Sequence, residues 1–255
     1  MNLLAIDIGN TNIALGIFKG EKLVARASVA TGKHRRYAGA LERCAAMSGI
    51  GGKGKIGAVI VSSVVPDALK RIRPLLRKNF ADRVYVVGKD VKAPITNLYK
   101  KPRQVGQDRL VNAASVKRLY GCPAIVIDFG TAVTFDCISR RGEYLGGMIL
   151  PGIEMSFQSL YERTALLPST RLFPPKYIIG RDTSESIRSG ILYGYSAMCD
   201  GLVKKLKEAT GKNAKVVATG GDCRLMMRHS GAIQIADPDL TLKGLKLTFE
   251  HAARF

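Results

Sequence analysis

The chain has 255 residues, 46 % hydrophobic and 24 % charged, a balance that supports a full apolar core and excludes disorder, collagen and coiled coil. Lys and Arg number 40 against 20 Asp and Glu, a net charge of +20 that favours polyanionic partners or phosphorylated ligands without bearing on the fold. No run approaches the roughly 20 apolar residues that cross a bilayer, and Met1-Asn2-Leu3-Leu4-Ala5-Ile6-Asp7 has no basic n-region, so a cytoplasmic protein is expected.

In chain order, Leu3 to Phe18 reads as a strand, a polar turn and a second strand, followed by the charged hairpin turn Lys19-Gly20-Glu21-Lys22. Helical apolar spacing covers Arg36–Met47, and Gly51-Gly52-Lys53-Gly54-Lys55 is a basic loop. Ala58 to Pro66 holds an unbroken apolar run that ends in small polar residues, the pattern of a central strand covered on both faces. Helical spacing returns over Ala68–Phe80 and Arg109–Leu119. After Tyr120-Gly121-Cys122-Pro123 the first pattern recurs: Ala124 to Ser139 is again strand, turn and strand, followed by Arg140-Arg141-Gly142-Glu143. A helix is expected over Ile187–Ala209, and Lys215 to Gly221 echoes the Ala58 strand. The expectation is a duplicated α/β chain, domains 1–120 and 121–255, with a cleft between them. The five cysteines are odd in number and lack CxxC spacing, so free buried thiols are expected. His34, His229 and His251 share no spacing and read as surface or packing residues.

Both copies place Asp-x-Gly after a β-branched run, with Thr close behind: Asp7-Ile8-Gly9-Asn10-Thr11 and Asp128-Phe129-Gly130-Thr131. Gly lets the backbone approach a ligand, and N–H groups with Thr or Asn side chains donate to phosphate oxygens. The Asp repels phosphate, so in this reading it holds a cation such as Mg²⁺ between itself and the phosphates. A lone Asp-x-Gly is ordinary turn chemistry; two matched copies with Thr219-Gly220-Gly221 point to a nucleotide. There is no GxxxxGK[ST], GxGxxG, HExxH or GxSxG.

The repeated hairpins are similar to those of the acetate and sugar kinase, chaperone and actin superfamily, with ribonuclease H-like, actin-like domains. Within it the chain closely resembles the type III pantothenate kinases. The motifs run in order through Asp7-Ile8-Gly9-Asn10-Thr11-Asn12, Val61-Ser62-Ser63-Val64-Val65-Pro66, Gly106-Gln107-Asp108-Arg109, Asp128-Phe129-Gly130-Thr131-Ala132 and Gly146-Gly147-Met148-Ile149-Leu150-Pro151-Gly152. They continue with Leu167-Pro168, Gly180-Arg181-Asp182-Thr183, Thr219-Gly220-Gly221 and Leu240-Thr241-Leu242-Lys243-Gly244-Leu245.

That resemblance implies ATP-dependent phosphorylation of pantothenate, the first step of coenzyme A synthesis. It assigns Asp108 as general base, where an N-cap role for the following helix is the compatible alternative. It assigns Arg109 to the pantothenate carboxylate, against the alternative of a solvated arginine. Tyr99 matches a residue of the substrate pocket, though packing alone would also suit a tyrosine. Gly106 allows close approach of substrate. Asp7, Ile8, Gly9, Asn10, Thr11, Asn12, Ile13 and Ala14 form the first phosphate loop, with Asp7 helping to hold Mg²⁺. Thr131 contacts ATP, and Gly220 and Gly221 either border the adenosine or form a plain turn. Asp128 matches the site of a monovalent cation, K⁺ or NH₄⁺. Thr183 matches a substrate contact supplied by a neighbouring subunit, which implies a homodimer. Gln107 departs from the family's usual small residue and either narrows the pocket or points away. Two rival readings remain: a non-catalytic nucleotide-binding regulatory protein of the same fold, and a nucleic-acid-binding module. The second is disfavoured because aromatics are only 7 % and Trp is absent.

Overall fold

The computed structural model describes residues 1–50 and 55–253, so the basic loop expected at Gly51, Gly52, Lys53 and Gly54 lies outside the described residues. The chain begins β1 (Asn2–Ile8), β2 (Asn12–Lys19), β3 (Lys22–Ala30), α1 (Tyr37–Met47), β4 (Ala58–Ser63), α2 (Pro66–Asn79) and β5 (Val84–Val86). It continues with β6 (Thr96–Asn97), α3 (Gln107–Leu119), β7 (Ala124–Phe129), β8 (Ala132–Ile138), β9 (Glu143–Pro151) and α4 (Ile153–Glu162). It ends with α5 (Thr183–Thr210), β10 (Lys215–Gly220), α6 (Cys223–His229), β11 (Ile235–Ala236) and α7 (Leu240–Ala252).

The duplication expected from the sequence is present in the sheets. The first has the order β3-β2-β1-β4-β5, and the second contains β9-β8-β7-β10-β11 with β6 added beyond β9. In each, the central strand pairs antiparallel with its hairpin partner and parallel with the strand that follows the crossover. The compact units nevertheless exchange segments relative to consecutive halves. One unit joins Met1–Ile95 and Lys100–Ser115 to α7, and the other joins Thr96–Tyr99 to Val116–Asp239.

Pleat alternation divides the first sheet's apolar residues between two faces. Leu4, Ile6 and Ile8 pack with Tyr37, Leu41 and Cys44 of α1 and Ile72 and Leu76 of α2. Leu3 and Ala5 pack with Val111 of α3 and Leu242, Leu245 and Phe249 of α7. Full burial of each large aliphatic side chain contributes about 1.5–3 kcal/mol. In the second unit Ile125, Ile127 and Phe129 pack with Ile153 and Phe157 of α4, Leu192, Cys199 and Val203 of α5, and Met226 of α6.

Helix limits differ from those read by periodicity. His34–Arg36 forms a 3₁₀ turn, so α1 starts one residue late. α2 starts at Pro66, whose fixed φ suits the first helical position. α5 starts at Thr183 because the Asp182 side chain accepts from the Glu185 N–H at 2.8 Å, while apolar periodicity begins only at Ile187. Cys44, Cys137, Cys199 and Cys223 are buried thiols as expected, but Cys122 is exposed. Among the described residues no helix is long and apolar enough to cross a membrane.

Candidate active site

In the first unit the turn between β1 and β2 leaves Asn10, Thr11 and Asn12 exposed, with Asp7 half-buried below them. Gly9 donates its N–H to the Asn12 carbonyl at 3.0 Å. Thr31 braces the turn from outside: its Oγ1 donates to Gly9 O at 2.7 Å and its N–H to Thr11 O at 2.9 Å. Buried Tyr37 in turn donates to Thr31 O at 2.5 Å. The exposed donors of this turn therefore rest on a chain of bonds that ends in the core, which is the preorganisation an anion loop requires.

In the second unit the same turn recurs: Gly130 donates its N–H to Ala132 O at 3.2 Å, and Gly130 and Thr131 are exposed. Its support is steric. A Cβ on Gly152 would fall 2.0 Å from Thr131 O. Gly220 has φ +88°, and a Cβ there would lie 2.4 Å from Phe129 O and 2.7 Å from Asp128 Oδ1. Gly220 is thus required by its contact with the Asp128 strand, whereas a Cβ on Gly221 would meet nothing.

Asp108 lies within the first turn of α3, which starts at Gln107, and not at the N-cap position. Its Oδ1 accepts the Arg109 N–H at 2.9 Å. Burial raises its pKa above the ordinary carboxylate range, and the Arg109 N–H and charge pull it partly back. A Cβ on Gly106 would fall 2.4 Å from Asp108 Oδ1, so the group that Gly106 admits closely is this carboxylate. Arg109 is only 9 % exposed, which excludes the solvated alternative. The Gln107 side chain lies over Gly88, whose φ is +84°, with Cδ 2.7 Å from where a Cβ would stand. α3 is held by α7 through Thr241 Oγ1, which donates to Asn112 Oδ1 at 2.8 Å, and through Gly244, where a Cβ would strike Val111 O at 2.6 Å.

Tyr99 belongs to the second unit. Asn97 Oδ1 accepts its N–H at 3.0 Å, and its ring lies 6.4 Å from the Tyr144 ring and over Gly146, whose φ is +120°. Behind it Tyr144 donates to the buried Asp136 carboxylate at 2.7 Å, and Thr134 donates to the other oxygen at 3.2 Å. Thr183, at the start of α5, is exposed. Sequence reasoning did not single out Asp136, Tyr144 or Thr134, nor the hydroxyls of Ser62 and Thr219. The last two had a signal, since both strands end in small residues with a hydroxyl, Ser62-Ser63 and Thr219-Gly220. The surplus charge lies in part on solvated helix faces, as in exposed Lys70, Arg71, Arg77 and Lys78 of α2 and Lys204 and Lys205 of α5.

The family model for type III pantothenate kinase matches residues 3–205. The chain belongs to the type III pantothenate kinase family. As a type III pantothenate kinase it is 41 % identical to the enzyme of that name from Syntrophus aciditrophicus over 98 % of this chain and 99 % of that one. The type III pantothenate kinase of Moorella thermoacetica is likewise 41 % identical over 98 % and 99 %. Solved structures share the actin-like ATPase fold. The 2-hydroxyisocaproyl-CoA dehydratase activator of Clostridium difficile with bound ADPNP aligns at TM-score 0.59 and 18 % identity, over 100 % of this chain and 96 % of that one. MreB 5 of Spiroplasma citri with AMPPNP aligns at 0.57 and 11 %, over 99 % and 97 %.

Proposed function

We propose that this kinase transfers the γ-phosphoryl group of ATP to the primary hydroxyl of pantothenate, with Asp108 as the base. The observation that carries the reading is the Gly106–Arg109 corner, a carboxylate raised in basicity and seated against glycine beside a buried arginine, in a chain of this family. The pantothenate oxygen attacks the γ-phosphorus, the bond from phosphorus to the bridging oxygen breaks, ADP leaves, and the proton passes to Asp108. Arg109 pairs with the pantothenate carboxylate and fixes the end remote from the reacting oxygen. Tyr99, seated on Gly146, is assigned a contact with pantothenate. The Asn10–Asn12 turn and Thr131 donate to the phosphates.

The donor set fits cations: Asp7 and Asp128 are half-buried carboxylates at matching strand ends, beside turns suited to phosphate. Asp7 would hold Mg²⁺ and Asp128 a monovalent cation, and such ions neutralise the gathered phosphate oxygens. Homodimerisation is part of the proposal. Exposed apolar side chains are frequent from β9 to the approach to α5, with Ile149, Leu166, Ile178 and Ile179 exposed by 64, 92, 66 and 78 %. A second copy covering them would bring its surface to the exposed Thr183. Incubation with ATP, Mg²⁺, K⁺ and pantothenate should yield phosphopantothenate, detected by mass; no product with any monovalent cation overturns the reading.

A further inference from the structure

Ser62 is 0 % exposed, and among the described residues its Oγ has no hydrogen-bond partner. A buried hydroxyl left without a partner is unfavourable, so its persistence needs a reason. Its position supplies one. Ser62 is the parallel partner of Asp7. Ala58 and Ile60 of the same strand, and Leu3 and Ala5 of β1, lie on the face packed by α3 and α7. Alternation places both Ser62 and Asp7 on that face, at the strand ends where the phosphate turn begins. Two residues further on, Val64 Cγ1 lies 3.6 Å from the Cβ position of Gly106, the glycine that seats Asp108. Ser62 is therefore flanked on β1 by Asp7 and followed two residues later by Val64, which touches the Gly106 corner.

The second half repeats the arrangement. Thr219, 1 % exposed, is the parallel partner of Asp128 and falls on the same side of its sheet. A hydroxyl beside an aspartate at both sites, on equivalent strands of two sheets, separates this placement from chance packing of one serine.

We propose that the Ser62 hydroxyl donates a hydrogen bond to an oxygen of the phosphoryl group in transfer. The inference rests on the ATP-dependent reaction proposed above. Asp7 lacks a proton to donate and serves the cation, whereas the hydroxyl next to it can donate to a phosphoryl oxygen whose charge changes during transfer.

Ser62→Ala and Ser62→Thr are compared with wild type for kcat, KM for ATP and pantothenate, calorimetric ATP·Mg²⁺ affinity and melting temperature. Ser62→Ala should lower kcat on the order of 100-fold, leave ATP·Mg²⁺ affinity within about three-fold, and melt no lower than wild type, because it deletes an unpartnered polar atom. Ser62→Thr, the residue type used at 219, should recover most of kcat. A kcat within three-fold of wild type for Ser62→Ala means the hydroxyl serves only buried water and overturns the proposal. A lowered melting temperature assigns it a structural role and also overturns it. If wild type turns over ATP without forming phosphopantothenate, the acceptor reading fails, and the same kcat ratio is then expected for ATP hydrolysis. Wild type with neither activity overturns both.

Discussion

Strands β4 and β10 occupy equivalent places and bring Ser62 and Thr219 alongside Asp7 and Asp128, yet their next residues part company. Ser63 closes a local turn, its Oγ accepting the Val65 N–H at 3.1 Å before Pro66 starts α2. Gly220 instead turns with φ +88° against the Phe129 carbonyl and the Asp128 carboxylate. The aspartates differ in surroundings to match: the first turn is braced by the hydroxyls of Thr31 and Tyr37, the second by glycines that let backbone and carboxylate close in. The buried charges behind the sites differ as well. The first unit buries Lys246 against Glu21 at 2.8 Å and Glu250 at 2.5 Å; the second buries Asp136 under the Tyr144 and Thr134 hydroxyls. A duplicated scaffold has been tuned by hydrogen bonds in one copy and by steric clearance in the other, and the first also carries the buried Asp108 carboxylate in the first turn of α3.

The largest expected effect tests that last asymmetry. Asp108→Asn should lower kcat by ~10²–10⁴ while calorimetry shows ATP·Mg²⁺ binding within a few-fold; near-normal turnover would assign the base elsewhere. Next is the steric copy. Gly220→Ala should cost about 1–3 kcal/mol in unfolding free energy and depress activity by displacing Asp128, while Gly221→Ala stays within ~0.5 kcal/mol. Equal effects at the two glycines would erase the distinction between the turns. Arg109→Gln should raise KM for pantothenate and move the acid limb of the kcat/KM profile to higher pH. The sign follows from the Arg109 charge, which opposes the burial that raises Asp108, so removing it leaves the carboxyl protonated to a higher pH. A limb that moves down in pH would refute this.

In the hydrogen-bonded copy Ser63→Ala should cost only about 1 kcal/mol, read by urea unfolding, and preserve kcat. The smallest effect is expected for Lys246→Met. Burial lowers the lysine pKa, but the Glu21 and Glu250 contacts outweigh it and the net shift is upward. The pairing is therefore intact at neutral pH and lost only as pH rises through and beyond the ordinary lysine range. Since Glu21 is largely solvated, exchanging the ammonium for an apolar chain should alter stability by about 1 kcal/mol or less; a loss above 3 kcal/mol would make it a structural centre of the first unit.

The repeated strand–turn–strand segments were legible because β-branched runs, Asp-x-Gly and charged turns are local patterns. The Gly106-Gln107-Asp108-Arg109 corner was legible as a motif, and the role proposed for Asp108 rests on that resemblance. The reason for Gly106 was not legible, because the atom that approaches it belongs to a side chain two residues on. Gln107 over Gly88, and Tyr144 over Asp136, are tertiary contacts that no local pattern encodes. The early start of α5 was available in Asp182 and Glu185, a capping signal that precedes any apolar periodicity. The return of α7 to the first unit had no local signal, since an amphipathic helix does not name the sheet it will cover.

That return has a consequence for the order of manufacture. Translation delivers β1, β4 and α3, then the long remainder of the second unit up to Asp239, and only afterwards α7. Until Leu242, Leu245 and Phe249 arrive, one side of the first sheet is without its lid, and α3 is without the Thr241 and Gly244 contacts that hold it. The second unit can finish on the ribosome while the first waits, so the helix bearing Asp108 is secured last and an unfinished chain has no firmly seated Asp108.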